Sequence, residues 1–305
     1  MAKDEADVIA QTLKSATAWC DYIYVYDNGS TDNSWEQVLE LAEQYPSQII
    51  PYKKDDAVFR GSLRGEVFRY YRSKSQPGDW WCRLDADEFY IDNPRIFLAK
   101  IPEHYKMVWS ASFQYYFTDI DLAQYKQNPE LYADSVPVET KLRYYRNNWS
   151  ERRFFRDEAN LQWEEDNAWP SASLAGEPYP VRIWLKHFQY RSPRQIQGRL
   201  STRTVNVVNQ DFSHEMQNDW KSKILDPTKL SRQDQVETFQ DSWESRILEA
   251  SALDYDAHDR RYVVNEHLMP QIKSLQTPKP PSFMERIKNA IAKVLQTGQS
   301  SGFYE

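Results

Sequence analysis

Two hydrophobic periods alternate through roughly the first ninety residues, and a chain patterned that way is restricted to layered α/β architectures. Val8, Ile9, Thr12, Leu13 and Ala16 recur at helical spacing, and the run Tyr22 to Tyr26 that follows is short, aromatic and β-branched, as a buried strand is. Trp35, Val38, Leu39 and Ala42 mark a second helical face, with Ser34 and Gln37 in the two positions of a capping box. Ile49 to Tyr52 reads as a strand, and Leu63, Val67, Tyr70 and Tyr71 as a helix. The turn Pro77-Gly78-Asp79 then leads into a strand over Trp80 to Leu84. This order predicts an α/β fold with a mostly parallel sheet flanked by helices, which binds ligands beyond the carboxyl ends of its strands. Asp27 and Asp85 fall at two such ends.

Beyond this stretch the pattern loosens. Residues 107–190 are rich in Trp, Tyr and Phe and read as further strands joined by long loops. Val181, Ile183, Leu185 and His187 alternate on one face of a strand. Ser192-Pro193-Arg194-Gln195 then opens a helix through about Val208, with serine at the cap, proline at the first helical position and glutamine at the capping-box position. Residues 209–276 look mostly helical and polar. Thr277 to Ser282 is a stiff proline-rich linker, and Phe283, Met284, Ile287, Ile291, Val294 and Leu295 share one side of a last helix. The expected divisions are 1–208, 209–276 and 277–305.

Composition excludes several functions. With 38 Lys and Arg against 45 Asp and Glu, a net charge of −7, the chain is a poor candidate for general nucleic-acid binding. Its 8 glycines form neither GxGxxG nor GxxxxGK[ST], so any phosphate must be held by another device. The opening residues lack the apolar stretch of a secretory signal, and Cys20 and Cys82 lack metal-ligand spacing, which together suggest a cytoplasmic protein with reduced thiols.

The chemistry-bearing pattern is Arg83-Leu84-Asp85-Ala86-Asp87-Glu88-Phe89. A strand running into two aspartates one residue apart would, if extended, point both carboxylates to one side. Such a pair suits a hard divalent cation that takes its remaining ligands from water and phosphate; a solvated acidic turn is the plain alternative. Lys3-Asp4-Glu5 before a helix, Asp27-Asn28-Gly29-Ser30-Thr31-Asp32 after a strand, and Leu84-Asp85-Ala86-Asp87-Glu88 occur in the order seen in glycosyltransferase family 2, which this chain resembles over roughly residues 3–90.

The resemblance implies a Rossmann-like GT-A fold and inverting transfer of a sugar from a nucleoside diphosphate sugar, a UDP-sugar foremost, to a glycan, lipid-linked or protein acceptor. It implies Mn²⁺ or Mg²⁺ as cofactor. Glu5, Asp27, Asn28, Asp85, Arg191 and Arg199 would line the nucleotide-sugar site, and Asp85, Asp87 and His187 the metal. Here Lys186 to Ser192 is similar to a segment found in a subset of these transferases. Asp166, with Glu165 second, is similar to the acceptor-side acidic pair and would serve as base. Asp4 stands where the family has asparagine, and only Met1 and Ala2 precede Lys3, so the family's first strand is expected to be missing. Two other readings stay open. One is a haloacid-dehalogenase-type phosphatase using Asp85 and Asp87; the other is a catalytically silent nucleotide-sugar or glycan-binding module. The helix over 283–295 is expected to dock on its own domain, with weak membrane contact as the alternative.

Overall fold

The computed structural model describes residues 1–57, 59–159, 161–165, 167–170, 177–207, 220–225 and 242–268. The chain divides into two units, 1–265 and 266–305. The linker and last helix expected over 277–295 lie outside the described residues, and every described helix and strand belongs to the first unit.

The alternating stretch folds as its periods require. Helix α1 (Ile9–Ala16) buries Ile9, Thr12, Leu13 and Ala16, and β1 (Ile23–Asp27) follows it. Helix α2 (Ser34–Gln44) buries Val38 and Leu41, and β2 (Ile49–Lys54) pairs in parallel with β1. Ile9, Leu13, Ile23, Val25, Val38, Leu41 and Ile49 form one apolar cluster, with Leu84 and Ala86 packed against it. The expected capping box at Ser34 is absent. Asp32 does the capping instead, its Oδ1 accepting from the backbone N–H of Ser34 at 3.0 Å, while Gln37 turns back to the carbonyl of Ala6.

The mostly parallel sheet expected from the alternation is not what forms. Strands β1 and β2 make a separate two-stranded parallel sheet. The larger, seven-stranded sheet is built from β3 (Trp80–Cys82), β4 (Glu88–Tyr90), β5 (Met107–Tyr115), β6 (Tyr144–Trp149), β7 (Arg152–Arg156), β8 (Ile183–His187) and β9 (Asp254–Tyr255). Its pairings β3·β7, β4·β8, β5·β6, β5·β7 and β6·β9 are antiparallel, and β5·β8 is parallel. The physical reason lies in the connections. Parallel neighbours need crossovers, and after α3 (Leu63–Tyr71) the helices α4 (Pro94–Leu98), α5 (Asp119–Gln127) and α6 (Val138–Lys141) join strands that run against each other, β4 to β5 and β5 to β6. All nine residues of β5 are buried because β8 lies along one edge, β6 and β7 share the other, and both faces are covered.

Strands β6 and β7 act as one long partner of β5, broken at Ser150 and Glu151. The Ser110 N–H donates to the Glu151 carbonyl at 2.8 Å across that break. A break of this kind re-aims a side chain, and here the side chain is Glu151. Helix α7 (Pro193–Val207) begins where expected: Ser192 Oγ accepts from the Gln195 N–H, and Gln195 Oε1 accepts from the Arg191 N–H. Within 209–276, α8 (Trp220–Leu225) is helical, whereas 242–268 carry two short 3₁₀ turns and β9.

That last segment is fastened by a buried charge. Asp256 is 1% exposed, accepts from Tyr115, Tyr262 and the His258 N–H, and pairs with Lys186 Nζ at 3.0 Å. Burial raises its pKa, but the Tyr115 hydrogen bond and Lys186 outweigh that and hold it at about 2. A carboxyl depressed in the folded state stabilises fully above its unfolded value and loses that contribution as pH falls through the folded value. Asp256→Asn is therefore expected to cost about 2–3 kcal/mol at pH 7, with the gap to the unaltered protein narrowing below about pH 4. Urea denaturation across pH 7 to 3 measures both; a pH-independent gap would refute this account.

Candidate active site

The first two motifs are hydrogen-bonded to each other. The N–H groups of Asp4, Glu5 and Ala6 donate to Ser30 Oγ, Ser34 Oγ and Asp32 Oδ2, at 2.9, 2.8 and 3.1 Å, and the Thr31 N–H returns to Asp4 Oδ1 at 2.6 Å. Gly29 makes this closure possible: its φ is +73°, and a Cβ there would sit 3.0 Å from the Asp56 backbone. Asn28 is likewise committed, its amide donating to the Ala57 carbonyl at 2.6 Å. Asp27 is wholly buried at the carboxyl end of β1. Its Oδ1 accepts from the Ser30 N–H at 2.7 Å, and its Oδ2 is buried with no partner among the described residues.

The two aspartates of the third motif separate. Asp85 is unpaired in the sheet and Ala86-Asp87 form a turn before β4, so the extended geometry expected for the pair does not occur. Thr12 donates to the Ala86 carbonyl at 2.6 Å and holds the turn against α1. Asp85 faces Arg64 at 2.8 Å, Arg153 at 3.0 Å and Arg83 at 3.8 Å. Burial raises its pKa, yet these three guanidinium groups hold it well below the usual carboxylate range. Asp87 faces His187 Nε2 at 3.2 Å, Arg191 at 3.6 Å and Arg199 at 3.9 Å. It too stays well below that range, because His187 and the arginines outweigh burial.

Around Asp87, Arg191 is 1% exposed and joins the first motif to the β8–α7 junction by pairing with Glu5 and Asp7. Burial pushes the Glu5 carboxyl up to about 7 against the pull of Arg191. For His187, burial acts downward but Asp87 wins, so the imidazole lies above its ordinary value. Its Nδ1 is buried without a partner among the described residues.

Several members of the site were not singled out from sequence: Arg64, Arg83, Glu151 and Arg153. Arg153 is 1% exposed and touches Asp85, Glu151 and Glu88 together. The signal was present in Arg152-Arg153-Phe154-Phe155-Arg156, where a charge stands inside a strand pattern flanked by aromatics. Of the two proposed bases, Glu165 is exposed in a turn, and Asp166 lies outside the described residues.

Among the described residues no group of three or more His, Cys, Asp or Glu is arranged to hold a metal ion. The donor chemistry divides accordingly. Both oxygens of Asp85 are taken by arginines, so it does not fit as a ligand, whereas the Asp87–His187 pair offers one carboxylate oxygen and one imidazole nitrogen. That pair fits a cation whose other positions go to water and phosphate. No helix among the described residues is long and apolar enough to cross a membrane.

No curated protein matches the chain. Residues 1–175 match the sequence profile of glycosyl transferase family 2, a stretch that contains the interlocked motifs, the Asp85–Asp87 turn and the Arg153 cluster. That match spans more than half of the 305 residues, and a nucleotide-sugar donor and an acceptor follow from it in general terms; the chain belongs to glycosyl transferase family 2.

Proposed function

We propose that the chain is an inverting, divalent-metal-dependent glycosyltransferase that moves a sugar from a nucleoside diphosphate sugar, a UDP-sugar foremost, to a hydroxyl of a glycan, lipid-linked or protein acceptor. The observation that carries this reading is Asp27, fully buried at a strand's carboxyl end with one oxygen unpartnered. A buried acceptor left empty is costly, and the N–H edge of a nucleobase is the complement it lacks.

Asp87 and His187 would hold Mg²⁺ or Mn²⁺, which when bound supplies Lewis-acid stabilisation of the departing diphosphate. Arg199, at 3.9 Å from Asp87, adds positive charge to the same place. Arg191, fixed by Glu5 and Asp7, keeps the β8–α7 junction against the first motif. Asp166, with Glu165 second, would take the proton of the acceptor hydroxyl, an assignment that rests on the family resemblance. A cytoplasmic location fits the free thiols of Cys20 and Cys82. The phosphatase alternative needs Asp85 as a free nucleophile, and its two oxygens are instead held by Arg64 and Arg153.

Calorimetric titration with nucleoside diphosphates tests the reading. Asp27→Asn keeps the Ser30 hydrogen bond but presents an amide donor to the base, so the affinity should fall about 10- to 100-fold with the thermal midpoint nearly unchanged. Failure of every common nucleoside diphosphate and nucleotide sugar to bind at millimolar concentration would overturn it.

A further inference from the structure

The region between Asp27 and Asp85 holds more donors than its own carboxylates satisfy. Arg64 Nη2 lies 2.8 Å from Asp85 Oδ1, Arg83 Nη1 lies 2.8 Å from Glu151 Oε1, and Arg153 Nη1 lies 3.0 Å from Asp85 Oδ2. The Nε–H groups of these same three arginines are nevertheless buried with no acceptor among the described residues. Unsatisfied buried donors are rare in folded proteins, and three of them around one carboxylate describe a receptor short of an anion's oxygens. Arg64 and Arg83 also repel each other. Burial first, and then Arg83, push the Arg64 guanidinium down to about 10, a cost that an added negative charge would relieve.

Two further observations place this pair beside the nucleotide site. Leu84 and Ala86, the chain neighbours of Asp85, pack against the apolar cluster that holds Ile23 and Val25 of β1, the strand that ends at Asp27. The Arg64 and Arg83 side chains are 14% and 18% exposed, and so remain reachable, whereas Arg153 at 1% is not. Trp169 lies over the Arg83 guanidinium at 5.3 Å and fixes its plane. Glu151, aimed here by the break between β6 and β7, is kept ionised: burial raises its pKa, but Arg83 and Arg153 bring it to about 2.

We propose that Arg64 and Arg83, held in place by Asp85, Glu151 and Trp169, form a subsite for the nucleoside-proximal phosphate of the donor, and that Asp85 serves it as a positioning residue rather than as a cation ligand. The inference rests on the nucleotide-sugar reading above and deepens it. Guanidinium groups match phosphate oxygens with paired N–H donors, which a point charge does not. Asp85 and Glu151 stop the two arginines from springing apart while the subsite is empty.

The test compares uridine with UMP, and each other common nucleoside with its monophosphate, by calorimetric titration of the intact chain. The unaltered protein should bind the monophosphate at least about tenfold more tightly than the nucleoside. Arg83→Gln and, separately, Arg64→Gln should erase that ratio without changing nucleoside affinity, and Arg83→Lys should restore part of it. The inference is overturned if the unaltered protein shows no preference for the monophosphate, or if both glutamine variants keep the ratio. Failure of the underlying reading looks different, since then neither nucleoside nor nucleotide binds and Asp27→Asn changes nothing. Thermal melts of each variant without ligand separate lost recognition from lost folding, because an unfolded variant would lose nucleoside affinity as well.

Discussion

Replacing Arg153 by methionine lowers the free energy of unfolding by about 3–5 kcal/mol at pH 8, the largest stability effect expected for a single substitution in this chain. Methionine fills much of the volume, so little of the loss is a cavity. The loss is electrostatic. Arg153 lies between Asp85, Glu151 and Glu88, the first two at 3.0 Å, and all of its own side chain but 1% is buried. Removing it leaves carboxylates out of water without the charge that compensates them. Glu88 decides how the cost varies with pH. Burial raises its carboxyl to about 7 even with Arg153 opposing, so without the arginine it rises further and takes up a proton in weak acid. A raised carboxyl destabilises the fold as pH climbs from its unfolded value through its folded one. The variant should accordingly lose less at pH 5 than at pH 8, and Arg153→Met combined with Glu88→Gln should recover part of the loss. Urea denaturation of the three proteins at both pH values measures this. A loss under about 1 kcal/mol at pH 8 would show that Arg153 is not what keeps these carboxylates ionised.

What the sequence conveyed and what it withheld divide along a physical line. Helix faces and strand ends are local, so α1, β1 and α2 lie where their periodicities place them, α7 starts where its capping residues place it, and His187 closes its strand as the alternation of Ile183 and Leu185 implies. Strand direction is not local. A fully buried strand such as β5 reads the same whether its partners run with it or against it, and nothing in 107–115 announces that 144–149 and 152–156 would share one of its edges. The site divides the same way. Asp27 could be read from one strand end and Asp85 and Asp87 from another, whereas the arginine cluster joins residues 83 and 153, which meet because β3 pairs with β7, to residue 64 of α3. The separation of Asp85 from Asp87 follows from the turn at Ala86, held by Thr12 from α1, a contact between residues that sequence spacing alone does not bring together.

The largest effect on activity is expected at Asp87. The change Asp87→Asn is nearly isosteric in a side chain 5% exposed, so packing and the turn at Ala86 persist, and what disappears is one negative charge. That charge is the one His187, Arg191 and Arg199 converge upon, at 3.2, 3.6 and 3.9 Å. Without it the His187 imidazole loses the partner that raises it and turns toward the neutral form, burial now acting unopposed by that carboxylate. On the proposed function, the Asp87–His187 pair would then no longer offer an anionic oxygen to a divalent cation, and charge developing on the leaving diphosphate would lose the cation's stabilisation, with the arginines left as its remaining positive charge. Losses from removing one such electrostatic contact are about 10²–10³ in rate. Release of nucleoside diphosphate from a panel of nucleotide sugars, with Mn²⁺ or Mg²⁺ present and then chelated, is the assay. The unaltered protein should depend on the cation, and Asp87→Asn should fall by that factor and become indifferent to chelation. Nucleoside affinity, which the proposed function assigns to Asp27, should stay within about twofold, because that assignment gives Asp87 no contact with the nucleoside. Asp85→Asn separates the two aspartates further: it should weaken monophosphate binding while leaving the response to the cation in place. Equal loss of cation dependence in both variants would mean that the two carboxylates act on one ion after all.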